Sequence, residues 1–360
     1  MTSGRFCGII FFDIFYYYLN FLAMVQIDLT QTAYRFKGRP VEEMTLFENG
    51  SFSVVTAEEK GKLCYVFNKQ GQIFLPGQRF FEQGAVLANG YSLLKENAGE
   101  GYTLYNELFE PVCSEIEDVQ VFANDWYELE CGGNKRLFNA DHKLMAEGYG
   151  WCQVFNAGYC VDEDKDGNGN VVNFYLPNGR FYDAVSNLLA VVGDGCMLLE
   201  HPDDCAYDVV RLDKKIIAKN VVSEVCEFAN GRFVLKTYED DCAQMFEANG
   251  DVMSVKVKDA TFLADGRFIV FEEPGHRIVG LYDQNGIVTK VSVWELQKAG
   301  NFYLVSAEQV SGRLFNDKME VVGDGYCLVS DYKEFALFEH NGPKLELFNR
   351  NGCVFSSDEN

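Results

Sequence analysis

From residue 30 onward, short apolar-polar alternations are broken by Asn-Gly, Asp-Gly and related turns, and the same arrangement recurs along the chain. One half of the pattern is a turn followed by a β-rich run, as in ANGYSLLKE (88–96), GDGCMLLE (193–200), ANGRFVLKT (229–237), ADGRFIVFE (264–272) and GDGYCLVS (323–330). The other half is an apolar–aromatic–polar triplet running into another turn, as in VFNKQG (66–71), MFEANG (245–250), LYDQNG (281–286), LFEHNG (337–342) and LFNRNG (347–352). Asn-Gly and Asp-Gly supply the positive-φ residues that tight turns need. The runs between them are rich in β-branched and aromatic residues. Each unit therefore predicts three or four short strands joined by hairpins. The octapeptide VWELQKAG (293–300) carries a weak helical period and is too short to weigh against this.

The spacing is countable. The turn markers are Gly50, Gly90, Asp125, Gly158, Gly195, Gly231, Gly266, Gly300 and Gly325, with Asp125 standing where the others have Gly. The triplet markers are Phe67, Tyr105, Phe138, Tyr175, Arg211, Phe246, Tyr282, Phe315 and Phe338. From turn to triplet the gap is 13–17 residues, and from triplet to next turn it is 20 in five consecutive cases. That gives nine units with a period close to 35. One such meander cannot bury its own apolar face, so neighbours must stack. The expected fold is an all-β, propeller-like repeat domain over residues 30–355, with an open solenoid or spiral of hairpins as the alternative. The contracted spacing after Phe315 reads as a capping unit, and the segment 33–50 reads as strands that complete a blade with the C-terminal end.

Units such as FEANGDVMSVKV, FLADGRFIVFEE and VGLYDQNG resemble the bacterial WG-type β-repeats, over most of residues 33–355. Ile278-Val279-Gly280 and Ala243-Gln244 stand where that family carries its Trp-Gly dipeptide. The resemblance implies a binding module rather than a particular reaction.

Residues 7–23 (CGIIFFDIFYYYLNFLA) depart from the repeat. This apolar, aromatic run is at the lower length limit for a membrane span and contains Asp13 and Asn20. Residues 1–25 are read as a signal or anchor segment, or as sequence preceding a true start at Met24. A cytoplasmic location is expected on the second reading, and export or membrane anchoring on the first.

Composition narrows the function classes. The 360 residues carry 31 Lys+Arg against 54 Asp+Glu, a formal charge of −23, which argues against nucleic-acid binding. The 12 cysteines include no CxxC, so zinc knuckles and thioredoxin-type motifs lack support, and free buried thiols are expected. His142, His201, His276 and His340 are too far apart in sequence for HExxH-type chemistry and are expected at exposed turns. Trp126 and Trp151 are expected in the core. No serine- or cysteine-centred nucleophile motif and no phosphate loop is present, so the chain is expected to be non-enzymatic.

The sharpest local motif is DEDKDGNGN at 162–170. Asp162, Asp164 and Asp166 alternate before Gly167, with Asn168 and Asn170 behind, like the opening of a calcium loop. Asn173 stands where an EF-hand places its bidentate Glu, so any calcium site there would be weak. Otherwise the segment is a solvated hairpin tip. No other cofactor is expected.

Nine windows taken as hairpin tips (56–63, 95–102, 130–135, 162–170, 200–208, 237–243, 272–280, 306–312 and 330–336) hold 21 acids and 7 Lys/Arg. Stacked in register, they would share one acidic rim. The leading expectation is a scaffold that binds a protein or peptide partner, preferably basic, through that rim. The alternatives are a carbohydrate-binding or carbohydrate-active propeller, and a calcium-stabilised exported surface module.

Overall fold

The computed structural model describes residues 24–358, except 97–100, 163–170, 201–206, 229, 238–241, 259, 264, 272–277, 284–285, 293–294, 307–310 and 343. Within them every sheet is antiparallel, and the strands group into nine consecutive four-stranded meanders. Blade 1 comprises Arg39–Phe47, Phe52–Glu58, Gly61–Phe67 and Ile73–Gln78. Blades 2, 3 and 4 occupy 81–116, 118–147 and 151–186. Blade 7 occupies 260–292. Blades 5 and 6 are fused through the 12-residue strand Ile216–Glu227. Its first half pairs back onto Tyr207–Val210, and its second half pairs forward onto Phe233–Thr237. Blades 8 and 9 share Val321–Tyr332 in the same way.

Each blade has two apolar faces because its strands alternate. In the second strand of blade 1, Val54 faces one neighbour and Val55 the other. The buried side chains form nine clusters, and each joins two successive blades. Val55, Cys64 and Val66 of blade 1 meet Phe81 and Leu94 of blade 2. Phe302 and Leu314 of blade 8 meet Ala336 and Phe348 of blade 9. The ninth cluster closes the circle, with Phe52, Tyr65 and Phe67 of blade 1 packed on Phe335, Leu345 and Phe355 of blade 9. The aromatic rings interlock across that seam, Phe36 lying 5.1 Å from Phe355 and Phe52 lying 6.2 Å from Phe335. The molecule is therefore a closed, nine-bladed, propeller-like ring rather than an open spiral.

Three expectations need correction. The segment 33–50 does not complete a blade with the C-terminal end. Arg39–Phe47 pairs with Phe52–Glu58 of its own blade, and its free edge takes the additional strand Met24–Asp28. The seam is held by face packing and by polar contacts, including Asn349 Nδ2 to the Lys69 carbonyl at 2.9 Å. The C-terminal end is a complete four-stranded blade rather than a contracted cap. The ninth unit also starts later than the GDG of 323–325 suggests. Gly325 lies inside a continuous strand, and the first turn of blade 9 follows Tyr332. Residues 330–336 are thus a first-to-second-strand turn, and the corresponding tip is 340–344.

Trp126 is buried as expected, in the cluster between blades 3 and 4, and Trp151 is half-buried against the next one. Trp294 lies outside the described residues. Cys64, Cys152, Cys160 and Cys196 are buried thiols, while Cys226 and Cys353 are exposed. Among the described residues no helix is long and apolar enough to cross a membrane.

Candidate functional site

A ring of up-and-down meanders has two ends. At one end lie the first-to-second and third-to-fourth strand turns; at the other lie the second-to-third strand connections. The two ends differ in chemistry.

The first end is built from Asn and Asp turns. In many of these turns the side-chain oxygen accepts the N–H two residues on, as in Ser51 N to Asn49 Oδ1 (3.1 Å), Leu108 N to Asn106 Oδ1 (3.0 Å) and Arg267 N to Asp265 Oδ1 (3.0 Å). This local bond is what makes Asn and Asp recur at those positions. Several turns also bond to one another. Buried Asn49 donates to the Val86 carbonyl (2.7 Å) in blade 2 and to Asp125 Oδ1 (3.0 Å) in blade 3. Lys69 Nζ reaches the other Asp125 oxygen at 3.1 Å. Asp125 takes a φ of 63° and replaces the Gly of the other turns, so a strained backbone position carries a side chain that ties blade 3 to two turns of blade 1.

Near the axis, charges from distant blades converge. Glu227 ends the inner strand of blade 6 and accepts the Gly193 N–H of blade 5 at 2.9 Å. Its side chain is open to water yet ringed by protein, with Lys333, Glu48 and Asp194 in range. Loss of bulk solvation pushes its carboxyl up to about 7; Glu48 and Asp194 add to this, while the Gly193 N–H and Lys333 oppose it. Lys333 pairs with Glu48 at 3.7 Å, and Arg350 pairs with buried Glu334 at 3.1 Å. Burial also raises the Glu334 carboxyl, against the pull of Arg350 and Lys69. Lys298 sits 4.3 Å over the Phe228 ring and 3.4 Å from Cys226 Sγ. Sequence reasoning missed this axial group. Asp125 in a glycine position was its one visible sign.

The second end receives the strand ends that flank connections acidic in sequence. Eight of the nine sequence windows join second to third strands as expected; exchanging 330–336 for 340–344 leaves 19 acids against 7 Lys/Arg. Some of the acids are occupied. Glu58 is held by Arg79 at 2.6 Å, and Glu117, in the connection from blade 2 to blade 3 outside those windows, accepts the Gly132 and Gly133 N–H groups at 3.1 and 3.4 Å. The most acidic stretches, within 162–170, 200–208 and 237–243, lie largely outside the described residues.

Of the candidate calcium ligands, Asp162 is buried at the end of Gly158–Asp162, where its carbonyl accepts the Gly150 N–H at 2.8 Å. Asp164, Asp166, Asn168 and Asn170 lie outside the described residues. Among the described residues no group of three or more His, Cys, Asp or Glu is placed to hold a metal. Two histidines are not the exposed turn residues expected. His142 stacks on Tyr91 at 3.6 Å and bonds the Tyr127 hydroxyl through Nδ1 at 3.1 Å. His340 stacks on Tyr326 at 4.2 Å with Glu346 3.4 Å away. Tyr91 belongs to the neighbouring blade, whereas Tyr326 is the adjacent-strand partner of His340, and each ring gives its histidine a flat surface to cover. His201 and His276 lie outside the described residues.

No family model matches the chain, and no curated protein does. Solved structures of similar shape include a eukaryotic initiation factor, at 12% identity and a TM-score of 0.49, covering 91% of this chain and 92% of that one. Hsv2 of Kluyveromyces lactis aligns at 10% identity and a TM-score of 0.36, over 68% of this chain and 96% of its own. BamB of Moraxella catarrhalis aligns at 10% identity and a TM-score of 0.32, over 77% and 91%.

Proposed function

We propose that the chain is a non-catalytic scaffold that holds a basic protein or peptide partner against its acidic end. The observation that supports this reading is the acidity of the second-to-third strand connections in the sequence. In sequence these connections carry 19 acids against 7 Lys/Arg, and the described strands that flank them run to one end of the ring. A rim with an excess of carboxylates attracts a cationic partner from a distance and repels nucleic acid. The test is fluorescence anisotropy with a labelled Lys/Arg-rich peptide. Neutralising Asp203, Asp204, Glu239, Asp240 and Asp241 to their amides is expected to weaken binding at least tenfold and flatten its salt dependence. Neutralising Asp213, Asp251, Asp265, Asp317 and Glu320, on turns at the opposite end, is expected to leave it within twofold. Equal losses in both variants would refute the reading.

A second reading, carbohydrate binding or hydrolysis at the axis, draws support from Glu227. A carboxyl near pH 7 facing other carboxylates suits a general acid. Chromogenic glycosides are the probe: turnover that disappears in Glu227→Gln would favour this reading over the scaffold.

A further inference from the structure

Cys226 and Lys298 are 72 positions apart and belong to blades 6 and 8, with blade 7 between them in the chain. Cys226 lies in the second half of Ile216–Glu227, beside the axial Glu227, and pairs across the sheet with Val234. Lys298 lies in Glu295–Ala299, the first strand of blade 8, and pairs with Tyr303. The Cys226 thiol is exposed, and Lys298 Nζ lies 3.4 Å from its sulfur. The same ammonium sits 4.3 Å over the buried Phe228 ring, which holds a long side chain in one place. We propose that Cys226 and Lys298 are an oxidation-dependent cross-linking pair, closed by a sulfur–nitrogen bond that ties blade 6 to blade 8.

Both backbones sit in antiparallel ladders, so the two groups start from fixed strands. The sulfur and nitrogen are already in contact, and the flexible four-carbon stem of lysine supplies the remaining approach. With hydrogen peroxide as oxidant, the Cys226 thiolate attacks one peroxide oxygen. The O–O bond breaks, a sulfenic acid forms and water leaves, so the sulfur loses two electrons and the peroxide gains them. Lys298 then attacks the sulfur through the lone pair of its deprotonated amine. The S–O bond breaks, the S–N bond forms, and the hydroxyl leaves as a second water with an amine proton. One thiol, one amine and one peroxide thus give one sulfenamide and two waters. Backbone nitrogens capture sulfenic acids in the same way, and a lysine amine is the stronger nucleophile. Held in contact, it outruns a second peroxide that would carry the sulfur on to sulfinic acid.

Other cysteines face different partners. Exposed Cys353 turns its thiol to the Phe355 carbonyl at 3.3 Å, and a carbonyl oxygen does not capture a sulfenic acid. Buried Cys152 donates to Glu128 Oε2 at 3.0 Å, away from any oxidant in solution. Cys353 therefore serves as the internal control for oxidation at an exposed thiol.

The test is to treat the full chain with limiting hydrogen peroxide, alkylate residual thiols and map peptides without reduction. The expected result is a peptide joining Cys226 to Lys298, with the mass of its two parents less two hydrogens, released by dithiothreitol. Lys298→Arg keeps the positive charge but offers no deprotonated amine. In that variant the cross-link should vanish, and dimedone, which traps sulfenic acids, should label Cys226 more strongly than in the wild type. If Lys298→Arg fails to fold, the wild-type peptide map decides alone. Cys226 found as sulfinic acid without a cross-link, or as a free thiol after Cys353 has been oxidised, would overturn the proposal. So would a cross-link that persists in Lys298→Arg.

Discussion

Single side chains hold the turns of this ring, and two of them make testable cases. Asn49 is 2% exposed and serves the Val86 carbonyl, Asp125 and the Ser51 N–H and hydroxyl together. Asn49→Ala would leave those groups unpaired out of water, so a loss of about 2–3 kcal/mol is expected by urea unfolding. Glu227 tests the axial electrostatics. Its carboxyl is raised from the usual 4.5 to about 7. A raised value in the folded state contributes stability that is complete below pH 4.5 and lost as pH rises through 7. The melting temperature of the wild type should therefore fall relative to Glu227→Gln between those values; parallel curves would contradict the assignment. The Asn-Gly and Asp-Gly turns were legible in the sequence because their bonds close within two residues. Glu227 and Lys333 were not, because no local pattern marks residues that meet only once the ring has closed.

At the level of the element, the strands followed from alternation and turn chemistry, and the slip in the ninth unit has a physical reason. In Val321–Tyr332 the glycines of GDG sit within the strand, where Gly325 accommodates the Asn341 side chain instead of making a turn. A turn signal and a close-approach signal are the same letters in a sequence. Turns that pack against a neighbouring blade should also be more sensitive than those that do not. Gly71 has a φ of 76°, and a Cβ there would lie 2.1 Å from the Val354 carbonyl across the closing seam. Gly38 has nearly the same φ, 74°, with nothing within 4 Å. Gly38→Ala is expected to cost about 1–2 kcal/mol of backbone strain. Gly71→Ala should cost clearly more, because backbone on both sides must move; equal midpoints in denaturant titrations would count against the seam geometry.

Over the whole molecule, closure makes the two ends of the chain one structural unit. Phe355 is buried and lies 5.8 Å from Phe67 and 6.2 Å from Phe52, almost 300 positions earlier. Phe355→Ala is expected to destabilise by about 3–5 kcal/mol and to speed amide exchange in 41–67 of blade 1. An open spiral would confine the change to the C-terminal blade. Of the net charge of −23, read from composition as an exclusion of nucleic acid, the second-to-third strand connections hold −12 in sequence, and the proposed function assigns partner binding to them. The direct measurement of that claim is hydrogen–deuterium exchange with and without a saturating Lys/Arg-rich peptide. The account predicts protection at the connections 95–102, 162–170, 200–208 and 237–243. Protection confined to the turns 47–51, 122–126, 192–195 and 228–232 would contradict it.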